Sequence, residues 1–193
     1  DIHVARLSSP TLFYRKLIKR PPPCSDAAFC DQTVRVLRAA LGSSLPGGIA
    51  GPLRFDDFFA HSFWFDLRAI GSKHLLIEFT AEPDLNISLS KLETKFTKVF
   101  NEIVQQGSPE KTIKQIKKRF QGHLNDVLKR KNYRKNLLID RVSNRQPYYG
   151  LTAERRALRS VTAQKINDLF TAPGQSGCTV IYPQMNYKKE KST

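Results

Sequence analysis

The stretch Leu53–Trp64, LRFDDFFAHSFW, places one arginine, two aspartates, one histidine, four phenylalanines and a tryptophan within twelve residues of a strongly basic chain. An arginine can donate to a carbonyl or an oxyanion, and a histidine can donate, accept or ligate a metal. Catalytic zinc wants three protein ligands brought together, often two histidines one helical turn apart beside a glutamate base. The four histidines, His3, His61, His74 and His123, are scattered and form no such pair. No serine lies in a Gly-x-Ser-x-Gly frame, no cysteine has a nucleophile context, and the glycines at 42, 47 and 48 fit neither a phosphate loop nor a dinucleotide fingerprint. On its residues alone the chain reads as non-catalytic, with no metal site. The ordinary readings of the stretch are an Arg54 paired with Asp56 or Asp57, a partly exposed His61 satisfied by water or backbone, and phenylalanines that fill a core or an interface.

Cys24, Cys30 and Cys178 have no Cys-x-x-Cys spacing and leave an odd thiol after any one pairing. They read as buried or idle thiols. A Cys24 to Cys30 bridge is spatially possible in an oxidising compartment.

A second feature that could do chemistry is charge. Between Glu110 and Gln146 twelve Lys or Arg face three Asp or Glu, so this segment holds most of the formal +15 of the chain. Lys111, Lys114 and Lys118 share one helical face, which serves a nucleic acid, an anionic surface, an acidic partner or plain solvent equally well. No helix-turn-helix, zinc finger or aromatic RNA-binding signature accompanies it.

The elements that must position these residues follow from periodicity. With 40% hydrophobic and 10% aromatic content, 193 residues can bury a sizeable core. Thr11–Ile18 reads as a strand stopped by three prolines, and Asp26 caps a helix that Gly42 ends. Phe63–Arg68 alternates, with Phe63, Phe65 and Leu67 on one face and Trp64, Asp66 and Arg68 on the other. Lys73–Thr80 is its hairpin partner across Ala69–Ser72, so the stretch at 53–64 feeds a hairpin. Leu89–Ile103 is an amphipathic helix stopped by Gly107. Ser108 as cap and Pro109 at the first position start a second helix, with a stripe from Ile113 to Val127 that continues or resumes through Leu137, Leu138 and Val142. Two short helices follow, one near Ala153–Arg159 and one capped by Thr162, and the strand Cys178–Tyr182 closes the order. The predicted class is α+β, a mostly antiparallel sheet packed against a layer of helices. Residues 1–183 read as one domain and 184–193 as a disordered basic tail. No run of about 18 apolar residues could span a membrane, and Asp1 begins without a methionine or an apolar signal core, as in a processed product or an excised domain.

The helix DQTVRVLRAALGSSL, then PLRFDDFFAHSFWFDLR, the strand KHLLIEFTAEP, the helix LSKLETKFTKVFNEIVQQGSPEKTIKQIKKRFQGHL and the ending SVTAQKINDLF with CTVIYP resemble, from about Leu12 to Pro183, the C-terminal, non-catalytic domain of pitrilysin/insulinase-type zinc metallopeptidases. That resemblance implies a LuxS/pitrilysin-like α/β sandwich. It also implies pairing with a like domain or subunit that carries zinc on an inverted His-x-x-Glu-His motif, the two enclosing an unstructured peptide substrate. This chain lacks the motif, so zinc would belong to the partner. The resemblance places Arg54 near the substrate backbone, as a donor to a peptide carbonyl or oxyanion. His61 stands where the family has a tyrosine and could donate one hydrogen bond in its place, with different reach and acidity. Periplasmic or organellar placement is the expectation. The competing readings are a scaffold subunit derived from the same family and a basic nucleic-acid-binding protein whose affinity salt would abolish.

Overall fold

The computed structural model describes residues 11–19, 26–70, 74–128, 132–143, 149–171 and 179–182. The expected stop at Pro21–Pro23, the hairpin connection, the basic run at 129–131, Pro147, Cys178 and the tail lie outside them.

The sheet is built from β1 (Leu12–Lys19), β2 (Ala60–Ile70), β3 (His74–Pro83) and β4 (Thr179–Tyr182) in the order β2-β3-β1-β4, every pairing antiparallel. This is the expected α+β class. Alternation decides which side meets the helices. Leu12, Tyr14 and Ile18 of β1 align with Ala81, Phe79 and Leu75 of β3, and all are buried. On the opposite side of β3 the buried Glu78 receives Arg15 and Arg68, each at 3.0 Å, a cross-strand cluster tying β1 to β2.

The helices are α1 (Ala27–Leu41), α2 (Leu89–Gln106), α3 (Glu110–Leu128), α4 (Tyr133–Ser143), α5 (Leu151–Ser160) and α6 (Ala163–Thr171). Asp26 caps α1 as expected, its Oδ1 accepting from the backbone N–H of Ala28 at 2.9 Å and Phe29 at 3.1 Å. Thr162 likewise accepts from Lys165 N–H at 3.3 Å at the start of α6. The apolar stripe of α2 lies against the sheet, where Phe96 stacks on Phe79 with centroids 4.1 Å apart and meets Tyr14 at 4.8 Å and Phe100 at 5.7 Å. Gly107 ends α2 at φ +74, a left-handed conformation, and a Cβ there would stand 2.2 Å from the Asn167 side chain of α6. Only glycine meets both demands.

Ser108 does not cap α3. Its hydroxyl is buried without a hydrogen-bond partner among the described residues, its N–H donates to Asn167 Oδ1 at 2.9 Å, and the Pro109 carbonyl starts the helix by accepting from Ile113. The close approach of α2 and α6 decides the geometry there over the local capping pattern. Past the segment at 129–131 the helical stripe also changes character: Leu138, Ile139 and Val142 of α4 are exposed.

The helical layer is tied together by a buried carboxylate. Glu154 of α5 is 3% exposed and accepts from Gln32 Nε2 and Arg35 Nη1 of α1, both at 3.1 Å. Arg35 in turn lies 4.6 Å over the ring of Phe120 in α3. Glu154→Ala leaves a buried amide without its acceptor and is expected to cost about 2 kcal/mol, lowering the thermal midpoint by roughly 4–8 °C; an unchanged midpoint would contradict the role given to this carboxylate.

Cys30 is not an idle thiol. It is buried at 4% exposure and disulfide-bonded, while both other cysteines lie outside the described residues. With three cysteines in the chain, alkylation of the denatured, unreduced protein is expected to add one label, and three only after reduction; three labels without reductant would contradict the bridge.

Candidate functional site

Between α1 and β2 the chain forms a structure that periodicity did not anticipate. Gly51–Asp56 is a single π-helical turn, with Pro52 near its start, where a missing N–H is harmless. Leu53 is fully buried and anchors the turn, and Arg54 projects beside it, exposed. Asp57 follows and pairs with Lys95 of α2, whose ammonium also lies 5.4 Å over the ring of Phe59. The Phe59 carbonyl accepts from Asp84 N–H at 3.0 Å, just beyond β3. The stretch is therefore pinned on both sides of Phe58.

Arg54 does not make the ion pair expected from its neighbours. Asp57 is taken by Lys95, and among the described residues no carboxylate lies within 4.0 Å of Arg54. Its guanidinium carbon lies 5.8 Å from the centroid of the Phe55 ring. The cation thus lies at the surface beside an aromatic neighbour, and its donors have no partner among the described residues.

His61 lies inside β2 and not in a loop before it, because the strand begins at Ala60, earlier than the alternation at Phe63–Arg68 predicts. The register with β3 slips between Ala60 and Ser62, so His61 is the extra residue of a β-bulge. It is exposed and has no hydrogen-bond partner among the described residues. Arg54 and His61 are both exposed, on either side of the buried Ala60, and no hydrogen bond joins them. His123 is exposed on α3, His74 is half-buried at the other end of the hairpin, and His3 lies outside the described residues.

The phenylalanines divide. Phe59 and Phe63 pack against the core as expected, whereas Phe55, Phe58 and Trp64 are 57%, 64% and 50% exposed and fill no core. The sequence signal for this was present in the run of polar neighbours around Phe55 and Phe58, but aromatic content outweighed it.

Among the described residues no group of three or more His, Cys, Asp or Glu could hold a metal ion, so zinc has no ligand set in them. No described helix is long and apolar enough to cross a membrane. β2 ends the sheet, with β3 on one side and no strand on the other among the described residues. A groove of about 600 Å³ between α1, α3 and β2, lined by Arg35, Arg38, Phe65 and Phe120 among others, includes neither Arg54 nor His61.

The basic helix is only partly a free cationic face. Lys111, Lys114 and Lys118 are exposed, but Lys117 turns inward, donating to the carbonyls of Arg159 at 2.8 Å and Val161 at 2.5 Å at the C-terminus of α5. Burial pushes its ammonium below the usual lysine range, against the pull of Glu110.

No protein-family model matches the chain, and no curated protein matches it in sequence. Solved structures do share its fold. The inactive peptidase domain of a Bordetella parapertussis protein described as a zinc protease superposes with a TM-score of 0.63 at 10% identity, covering 98% of this chain and 99% of that one. A peptidase M16 inactive domain from Pseudomonas fluorescens gives 0.62 at 13% identity, over 92% of this chain and 42% of that one. The periplasmic protease PqqL of Escherichia coli gives 0.63 at 14% identity, over 92% of this chain and 20% of that one. The chain therefore spans a fifth of PqqL and about two fifths of the Pseudomonas protein, and matches the Bordetella domain nearly end to end. At these identities the likeness establishes the fold, one found in M16 peptidases and in their inactive domains.

Proposed function

We propose that this chain is the non-catalytic, substrate-binding domain of a zinc-dependent metallopeptidase, corresponding to the C-terminal domain of the pitrilysin/insulinase type, with residues 1–183 as one domain. It holds an unstructured peptide for a companion domain or subunit that carries His-x-x-Glu-His. The observation that carries this reading is Arg54: an exposed guanidinium on a pinned turn, without a carboxylate partner among the described residues, beside a sheet edge. A planar guanidinium on a fixed support is suited to donate to a peptide carbonyl or a carboxylate.

The work divides between the two halves. The companion's His-x-x-Glu-His would hold zinc, which would supply an activated water and polarise the scissile carbonyl. In this chain, the edge of β2 offers main-chain groups to an extended peptide, and the addition of a strand needs no particular sequence. Arg54 donates to a peptide carbonyl, and more strongly to the oxyanion that develops there. His61 supplies a second donor from the bulge. The excess positive charge favours acidic peptides or an acidic companion. A disulfide at Cys30 and the periplasmic protease among the fold's other bearers both favour an oxidising compartment such as the periplasm.

The test is recovery of what binds this chain in its native source. The expected result is a polypeptide with His-x-x-Glu-His and peptide cleavage that a chelator abolishes. Recovery of nucleic acid alone, lost as salt rises, would overturn the reading.

A further inference from the structure

Resting on that reading, we propose that Phe55 and Phe58 form an aromatic subsite that selects peptides bearing a large apolar side chain next to the segment held by Arg54. Single exposed phenylalanines are common and mean little. Phe58 is different because its backbone is in the left-handed region, at φ +51, while its side chain is 64% exposed. That conformation is unfavourable for a bulky residue, and the ring gains little burial in return. The neighbours hold it there. Asp57 is tied to Lys95, Phe59 is fixed by the Asp84 N–H at 3.0 Å and by Lys95 over its ring, and Ala60 is buried at 1% exposure. With both flanks fixed, the ring is set outward and cannot fold back without breaking a tether. Strain maintained to expose an apolar group points to a ligand contact.

Phe55 adds the second ring, 57% exposed, with the Arg54 guanidinium carbon 5.8 Å from its centroid. Free cation and exposed rings therefore lie on one short rigid stretch that leads into β2. An extended peptide is the occupant that matches all three features. Its main chain can pair with the edge of β2 that bears no strand among the described residues, its carbonyls or acidic groups complement Arg54, and alternate side chains of an added strand turn toward the support.

The experiment uses the full chain and three unstructured, dye-labelled peptides of equal charge that differ only in a central Phe, Leu or Ser, with binding read by anisotropy. The Phe and Leu peptides are expected to bind about tenfold tighter than the Ser peptide. Phe58→Gly is expected to erase that ratio while leaving the thermal midpoint unchanged or higher, because glycine adopts φ +51 freely. Arg54→Ala lowers all three affinities together and leaves the ratio intact. Equal binding of the three peptides, unaltered by Phe58→Gly, overturns the subsite and leaves the peptide-holding reading standing. No binding of any peptide overturns both. Self-association in sedimentation that Phe58→Gly abolishes, without a change in the peptide ratio, assigns the rings to a dimer contact and overturns the subsite.

Discussion

On the proposed function, Arg54→Ala is expected to lower kcat/KM of the peptidase formed with the companion by about 100-fold, the usual effect of removing one preorganised oxyanion donor. The fold should not notice, since Arg54 is exposed and makes no ion pair among the described residues, so its thermal midpoint should match that of the unaltered protein. Arg54→Lys should recover only part of the loss, because an ammonium cannot reproduce the planar fork of a guanidinium. The salt dependence separates this role from general charge. A 100-fold loss that persists at high salt belongs to a desolvated donor, whereas a loss that salt removes belongs to steering. Unchanged hydrolysis would return Arg54 to ordinary surface chemistry, as expected for a scaffold subunit.

Phe96→Ala should be the most damaging single substitution in the core. Phe96 is 1% exposed, and its ring meets Phe79, Tyr14 and Phe100, so it joins α2 to β1 and β3 at one point. Truncation of a buried phenylalanine costs about 3–5 kcal/mol through lost transfer energy and the cavity left behind. Against a typical domain stability of roughly 5–15 kcal/mol, that is enough to leave the chain poorly folded at growth temperature. Denaturant titration with a matched Phe96→Leu control checks it, Leu being expected to cost well under half as much. Equal midpoints for the Ala variant and the parent would mean that the aromatic cluster does not hold the layers together.

The elements legible in the sequence were those whose pattern and burial agree. Strand alternation around Phe65 and Phe79, the α2 stripe from Leu92 to Ile103, and the caps at Asp26, Thr162 and Gly107 all stand where local chemistry puts them. The Ser108 cap failed because tertiary contact with Asn167 took over the backbone there. The π-helical turn was not legible, since Leu53 is its one buried side chain beside the buried Gly51, and so short a segment shows no period. The bulge at His61 escaped for a related reason: an inserted residue breaks the alternation that announces a strand, and β2 seemed to start late. As for the site, Arg54 and His61 were singled out through a family resemblance. Their freedom from carboxylate and hydrogen-bond partners among the described residues is a tertiary property, because nothing in the residue order says that Asp57 turns to Lys95. The exposure of Phe55 and Phe58 is not legible in the sequence, because an aromatic run reads as core or interface, and only the backbone at φ +51 marks Phe58 as unusual.

The measurement that tests the central claim most directly is hydrogen exchange of the full chain with and without an unstructured peptide, in the presence of a chelator. The claim is that this chain holds peptide by itself, without metal, at the edge of β2 and the turn before it. The expected result is slowed exchange in residues 53–70, lost in Arg54→Ala, with the basic helix at 110–128 unaffected. Protection confined to that helix and dissolved by salt, or no protection anywhere, would contradict it.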